Sequence, residues 1–339
     1  MSHRRSRRGS RRGSRRGVRS LAAVFAATLL TGVLAACGAG AEDGPAETIT
    51  IGYQPGLGYA TLLVIKEQKT LEKALPDTEI KWQELDSGGA LRDAVIAGDV
   101  QVASMGASPF LVGVDAGVGW KTVAAMNQMN LQLMVTDPAI KSLKDLPKDA
   151  KIAMPAPDSI QSLPLRKAAG EQLGDPHALD KNIVGMGHPD GLQALVSGQI
   201  AGHLTAPPFV AQEAEAGAHP ILKSYDLFGR TTFNAIYAKP DFLDANPGFT
   251  KAFYAALKES NALLTDDPAQ AAELLSAESE GELTAAEVKA QITDPDVTWS
   301  LTPTGFGEFA DFMESVEMIK KAPASEDIYV DNEFNADAN

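Results

Sequence analysis

Several polar side chains fall in short turns made mostly of Gly, Pro and Ala. Gln54 and Tyr59 bracket Pro55-Gly56-Leu57-Gly58, Ser87 precedes Gly88-Gly89, and Ser108 closes Met105-Gly106-Ala107-Ser108. Asn127 precedes Gln128; Asp158, Ser159 and Gln161 follow Pro155-Ala156-Pro157; His188 precedes Pro189; Thr205 precedes Ala206-Pro207-Pro208. Their hydroxyls and carboxamides donate hydrogen bonds, Gly106 lets backbone approach closely, and Asn234 adds an amide from the run 232–238. No Lys or Arg lies in these turns, and Arg92 and Arg166 come one turn into the helices that follow. Where a turn opens a helix, unpaired backbone N–H groups and the positive dipole end favour an anion. Such donors suit one negative charge, on a small anion or zwitterion of sulfonate or carboxylate type, whereas a multiply charged phosphate ester usually recruits Arg or Lys. The serines also suit plain N-capping, which is compatible with ligand contact.

Other chemistries lack their residues. There is no Gly-x-Ser-x-Gly elbow, no phosphate loop and no cysteine placed as a nucleophile, so no catalytic residue and no cofactor are expected. His188 and His203 have no His-x-x-x-His partner or carboxylate cluster around them, so no metal site is expected. His203, in mid-strand, reads as a core residue, and His188, at a helix start, as the better ligand candidate.

The elements that would hold these turns alternate. Thr48-Ile49-Thr50-Ile51-Gly52-Tyr53 is β-branched and alternating, and 59–75 has helical apolar spacing. Strands at 80–84, 100–104, 122–126 and 131–136 and helices at 90–97 and 109–116 complete a first block. A second block follows Asp137-Pro138, with strands at 151–154, 183–185 and 200–205 and helices at 159–173, 190–196 and 208–216. A strand at 232–238 leads into helices at 241–265, 268–277, 284–292 and 304–321. Strands alternating with helices imply βαβ units and mainly parallel sheets. Ala94-Val95-Ile96-Ala97-Gly98-Asp99-Val100 recurs 100 residues later as Ala194-Leu195-Val196-Ser197-Gly198-Gln199-Ile200, and each copy runs on to a Pro-Phe pair, Pro109-Phe110 and Pro208-Phe209. The repeat suggests two related lobes, although any βαβ unit places Gly after its helix and Val or Ile in its strand.

Cys37 is the single cysteine of 339 residues. Residues 1–20 carry nine arginines and no acid, 21–36 are almost unbroken apolar, and Leu34-Ala35-Ala36-Cys37 follows. This order is a secretory leader ending in a cysteine and resembles the lipobox of bacterial lipoproteins, whose thiol is acylated. The apolar stretch is shorter than the roughly 20 residues a spanning helix needs. An Arg-Arg pair at Arg15-Arg16 leaves twin-arginine export open beside the general route. Beyond the leader, 21 Lys and Arg face 44 Asp and Glu, a balance near −23 that repels nucleic acid and anionic headgroups. Any membrane attachment would then be by lipid alone, through a polar tether at 37–47.

Ile51-Gly52-Tyr53-Gln54-Pro55, Ser87-Gly88-Gly89, Gly106-Ala107-Ser108-Pro109-Phe110, Leu143-Lys144-Asp145-Leu146 and Gly187-His188-Pro189-Asp190, in this order, resemble the solute-binding proteins of ABC importers in the nitrate, sulfonate, taurine and thiamine-pyrimidine-precursor group. The chain departs from that pattern at Lys69 and Pro147, where Gly is usual. The resemblance implies a type II periplasmic-binding-protein fold: α/β, two mainly parallel sheets flanked by helices, two hinge crossings and a helical C-terminal end. Lobe one would be 47–132 plus 234–339 and lobe two 133–233, after a signal peptide at 1–36. The turn residues named above would then line the interlobe cleft, since open α/β sheets bind ligands beyond the carboxyl ends of their strands. The implied role is a lipid-anchored, extracytoplasmic, monomeric solute carrier serving a permease and its ATPase. Pyrimidine-forming enzymes of this fold carry a cysteine-rich motif that is absent here. A neutral pyrimidine ligand, or an adhesin with no small ligand, remains the alternative.

Overall fold

A computed structural model of the protein describes residues 46–279 and 281–338; the leader, Cys37 and most of the tether lie outside them. Eleven strands form two sheets among the described residues. The first contains β1 (Thr48–Tyr53), β2 (Glu79–Glu84), β3 (Val102–Gly106) and β4 (Lys121–Met129). The second contains β5 (Gln132–Val135), β6 (Ile152–Met154), β7 (Ile183–Gly185), β8 (Gly202–Thr205) and β9 (His219–Lys223). The chain then returns to the first sheet through β10 (Thr232–Ala238) and β11 (Val297–Trp299), giving orders β11-β4-β10-β3-β1-β2 and β7-β6-β8-β5-β9.

In each sheet four strands share one direction, as expected, and the others run against them. β1 pairs in parallel with β2 and β3, and β6 with β7 and β8. β10 runs antiparallel to β3 and β4, β5 antiparallel to β8 and β9, and β11 antiparallel to β4. For β5 and β10 the cause is the crossing itself. A strand arriving from the other sheet enters at the carboxyl ends of its new neighbours, because those ends face the cleft, and so it runs against them. β4 passes into β5 through Asn130 and Leu131, and the return lies between Lys223 and Thr232.

Burial explains the strand sequences. β10 is buried along its whole length and β1 on both faces from Ile49 onward, so both read as nearly continuous apolar or β-branched runs. Tyr237 of β10 stacks on Phe110 with ring centroids 4.2 Å apart, beside Trp120. The Pro-Phe pair at 109–110 thus anchors the first lobe's core.

The internal repeat is matched bond for bond. After the helix Gly88–Ala97, Gly98 and Asp99 donate to Val95 O and Ala94 O; after the helix His188–Val196, Gly198 and Gln199 donate to Leu195 O and Ala194 O. Gly98 and Gly198 have φ of 86° and 74°, a left-handed geometry that favours glycine. The same turn therefore feeds β3 in one sheet and β8 in the other.

Candidate functional site

A cleft runs between the carboxyl ends of the two sheets. Its walls include Gln54, Gly58 and Tyr59 from the turn after β1, Gly88, and Gly106 at the end of β3. Ser159, Ile160, Gln161, His188, Pro207 and Phe209 come from the second lobe, and Phe233 and Asn234 from β10. Four helices begin at this cleft: Gly88–Ala97, Ala107–Asp115, Ser162–Leu173 and His188–Val196. Each start contributes roughly 0.3–1 kcal/mol toward a nearby negative charge when exposed and up to about 2 when partly buried.

The turn after β1 is fixed from behind. Asn127 donates to Gly58 O at 2.6 Å and Asn234 donates to the same oxygen at 3.3 Å. Gln54 Nε2 donates to the Tyr59 hydroxyl at 2.5 Å, and that hydroxyl donates to Asn234 Oδ1 at 3.3 Å. Full burial pushes the Tyr59 phenol far above its ordinary range, so it stays a neutral donor.

Sequence reasoning placed twelve residues at the ligand. Gln54, Tyr59, Gly106, Ser159, Gln161, His188 and Asn234 are brought together in the cleft wall. The remaining five have other partners. Ser87 caps its helix by accepting from Ala90 N at 3.2 Å, and Asn127 holds Gly58. Ser108 donates to the Asp158 backbone oxygen at 2.8 Å, while the Asp158 carboxylate meets Arg92 Nη1 at 2.6 Å. Thr205 Oγ1 lies 3.1 Å from His188 Nδ1, behind the wall. Phe209 and Phe233 were not expected there. The Pro-Phe repeat was the available signal for Phe209, which stacks on the His188 ring with centroids 5.4 Å apart.

Charge is arranged with economy. Arg92 is held by Asp158, and Arg166, one turn into its helix, donates to Asp180 at 2.9 Å and to Ser162. Both nearby guanidiniums are thus committed to protein carboxylates. The Ser159 hydroxyl, by contrast, is buried in the cleft wall with no hydrogen-bond partner among the described residues. A buried donor left unmade costs about 1–3 kcal/mol, which a ligand acceptor at this point offsets.

The lobes are drawn together. The Arg92–Asp158 pair and the Ser108–Asp158 bond cross the cleft, and Ile160 sits directly over Gly106. What remains is a cavity of about 20 Å³, room for one or two waters at about 10–15 Å³ each. With the lobes in this position the space is too small for an organic solute.

His188 leads inward from this wall. Its Nε2 is 3.1 Å from Gln161 Nε2, its Nδ1 is 2.9 Å from His203 Nε2, and His203 Nδ1 is 2.5 Å from Glu213 Oε1. His203 is the core residue expected from its mid-strand position, fully buried on β8, and Gly191 leaves room for its ring. Glu213 escaped sequence reading. The signal was its spacing of four from Phe209 in the helix Phe209–Glu215, which puts an acid on the buried stripe. Burial pushes Glu213 up to about 8 and His203 down to about 3. Burial, with His203 beside it, holds His188 well below its usual range.

The NMT1-like family matches residues 42–277. A putative aliphatic sulfonates-binding protein of Escherichia coli (strain K12) is 26% identical over 242 residues, 69% of this chain and 72% of its own length. The taurine-binding periplasmic protein of the same strain is 26% identical over 225 residues, 65% of this chain and 68% of its own. Among solved structures, the alkanesulfonate-binding protein SsuA from Xanthomonas axonopodis pv. citri, bound to MOPS, is similar with a TM-score of 0.69 at 20% identity, over 84% of this chain and 99% of that one. The likeness establishes a two-lobed periplasmic-binding-protein fold.

Proposed function

The chain belongs to the NMT1-like family, and we propose that it is the extracytoplasmic solute-binding component of an ABC importer, taking a small sulfonate-type anion or zwitterion between its lobes. The relatives it matches are binding proteins rather than enzymes. The observation that carries the ligand class is the unpartnered Ser159 hydroxyl among helix starts, in a wall whose neighbouring arginines are already paired. Donors without a free cation suit a single, diffuse negative charge. Lobes of 47–132 plus 234–339 and of 133–233 close on it as a monomer, and the closed form is what the permease subunits receive.

Calorimetry with ethanesulfonate, taurine and a phosphate monoester tests this reading. A sulfonate at a hundredfold excess over its Kd stabilises the fold by about 2.7 kcal/mol, and saturation lowers the radius of gyration in solution scattering. Tight binding of the phosphate ester alone overturns the ligand class, and tight binding of a neutral aminopyrimidine alone replaces the anion with a heterocycle.

Attachment to the membrane rests on Cys37, which lies outside the described residues. No helix among the described residues is long and apolar enough to cross a membrane. In cells, Cys37→Ala is expected to move the protein from the membrane fraction to the soluble one. Retention in the membrane, with unchanged electrophoretic mobility, removes the lipid anchor.

A further inference from the structure

The file Gln161, His188, His203, Glu213 begins at the cleft and ends in the interior of the second lobe, with each member within hydrogen-bond distance of the next. We propose that Glu213, His203 and His188 form a buried relay that carries the protonation state of Glu213 to the cleft, making Glu213 the residue that decides whether His188 offers the ligand an N–H or a lone pair. The proposal deepens the anion-binding reading of the same site and rests on it for its ligand.

The bookkeeping of protons is closed. With Glu213 neutral, its O–H donates to His203 Nδ1, His203 Nε2–H donates to His188 Nδ1, and His188 Nε2–H points toward Gln161 and the cleft. With Glu213 ionised, His203 Nδ1–H donates to the carboxylate, His188 Nδ1–H donates to His203 Nε2, and His188 Nε2 is left as an acceptor. Passing from the first state to the second moves one proton along each bond and releases one from His188 Nε2 at the cleft. Both imidazoles are neutral in both states. As placed, Gln161 Nε2 gives its N–H to a lone pair on His188 Nε2, and turning the carboxamide over brings its oxygen to an N–H instead; Thr205 Oγ1 is tolerant of either state at His188 Nδ1.

Three observations favour the neutral acid at neutral pH. Glu213 Oε2 is buried with no partner, a costly position for a carboxylate oxygen. Among the described residues no Lys or Arg pairs with Glu213, and burial raises its pKa to about 8. His203 on β8 stands between His188 and Glu213 of the helix Phe209–Glu215. Asp190 and Glu215 on the two helices are exposed, and Asp86 stands across the cleft opposite Gly187. At neutral pH the cleft therefore presents an N–H, which an anion needs. Above about pH 8 it presents a lone pair, with a negative charge behind it.

Nitrogen NMR of the imidazoles tests the relay in the unliganded protein, because the shifts of Nδ1 and Nε2 distinguish both tautomers and the cation. The expected result is that His188 and His203 stay neutral from pH 6 to 10 and exchange tautomers together near pH 8, and that Glu213→Gln, which cannot ionise, abolishes the exchange. An imidazolium at neutral pH, tautomers fixed across the range, or an exchange that survives in Glu213→Gln overturns the proposal. Ethanesulfonate, which stays singly charged throughout, supplies the binding arm: its affinity for the wild type falls tenfold per pH unit above about 8, with uptake of up to one proton per ligand, and Glu213→Gln shows neither. A tautomer exchange without any ethanesulfonate binding upholds the relay and instead discards the sulfonate reading of the site.

Discussion

Gly106→Val is expected to weaken ligand binding roughly fivefold to 150-fold while leaving the stability of the unliganded protein little changed. Gly106 ends β3 and precedes the helix Ala107–Asp115, and its backbone, at φ −66° and ψ 160°, accepts any residue. The obstacle is the other lobe. A Cβ at Gly106 lies 2.5 Å from Ile160 Cγ2 and 2.6 Å from Ile160 Cβ, closer than carbons tolerate. Ile160 belongs to the second lobe and moves away when the cleft opens, so the clash falls on the closed state alone. Overpacking of this kind costs about 1–3 kcal/mol, and at about 1.4 kcal/mol per factor of ten this gives the affinity range stated. With saturating ligand, scattering of the variant should show a larger radius of gyration than wild type. Ile160→Ala in the same chain removes the obstacle and is expected to recover both closure and affinity, the signature of a coupled pair. If the double variant binds no better than Gly106→Val, the contact between Gly106 and Ile160 does not control closure.

The same pair shows what the sequence could and could not say about the site. Gly106 and Ile160 are 54 positions apart, and each sits in a turn that reads as a ligand loop. Nothing in either turn says that the two meet. Asp158 is a sharper case. As a carboxylate in a Pro-rich turn it read as a ligand residue, and its partner Arg92 lies 66 residues away on the opposite lobe. Residues whose position is set by their own turn stand in the cleft wall: Ser159 and Gln161 open a helix there, and Tyr59 follows its glycine turn. Glu213 was missed because its partner is a histidine on another element, although its place on a buried helical stripe was visible.

The fold was most legible where burial on both faces leaves no choice of residue, as in Thr48–Tyr53 and Thr232–Ala238, whose bounds match the expectation. Edges were the failures. β9 contains Pro220, which reads as a strand breaker, yet β9 lies at the edge of its sheet, where the missing N–H is tolerated. β11 is a three-residue edge strand with too little pattern to detect. Two long helical readings were divided. The expected helix 59–75 breaks at Lys69, which takes a left-handed φ of 51°, and 241–265 breaks at Asn246, driven out of helical geometry by Pro247. Periodicity continues across both breaks because the segments pack on the same core, so spacing alone cannot locate them.

Glu213→Gln is also expected to change how stability depends on pH. Glu213 keeps its proton up to about pH 8 in the folded chain and loses it near 4.5 when unfolded. Between those values the folded state binds one more proton than the unfolded state, so this group makes stability fall as pH rises, by about 1.4 kcal/mol per unit. His203 and His188 act in the opposite direction: both are held neutral in the fold, so the unfolded state binds more protons until its histidines are neutral above about 6.5. Their contribution rises with pH and levels off there. Wild-type stability should therefore peak near pH 6.5 and drop by roughly 2 kcal/mol on the way to pH 8, whereas Glu213→Gln, which retains both histidines, should stay level over the same interval. Over the whole span from 4.5 to 8 the two proteins diverge by up to roughly 5 kcal/mol. Urea denaturation of both at pH 6.5 and pH 8 measures the difference directly, and because other titrating groups are shared they cancel in the comparison. A parallel decline in the two proteins would mean that the Glu213–His203 pair holds no extra proton at pH 6.5, a carboxylate beside a neutral imidazole.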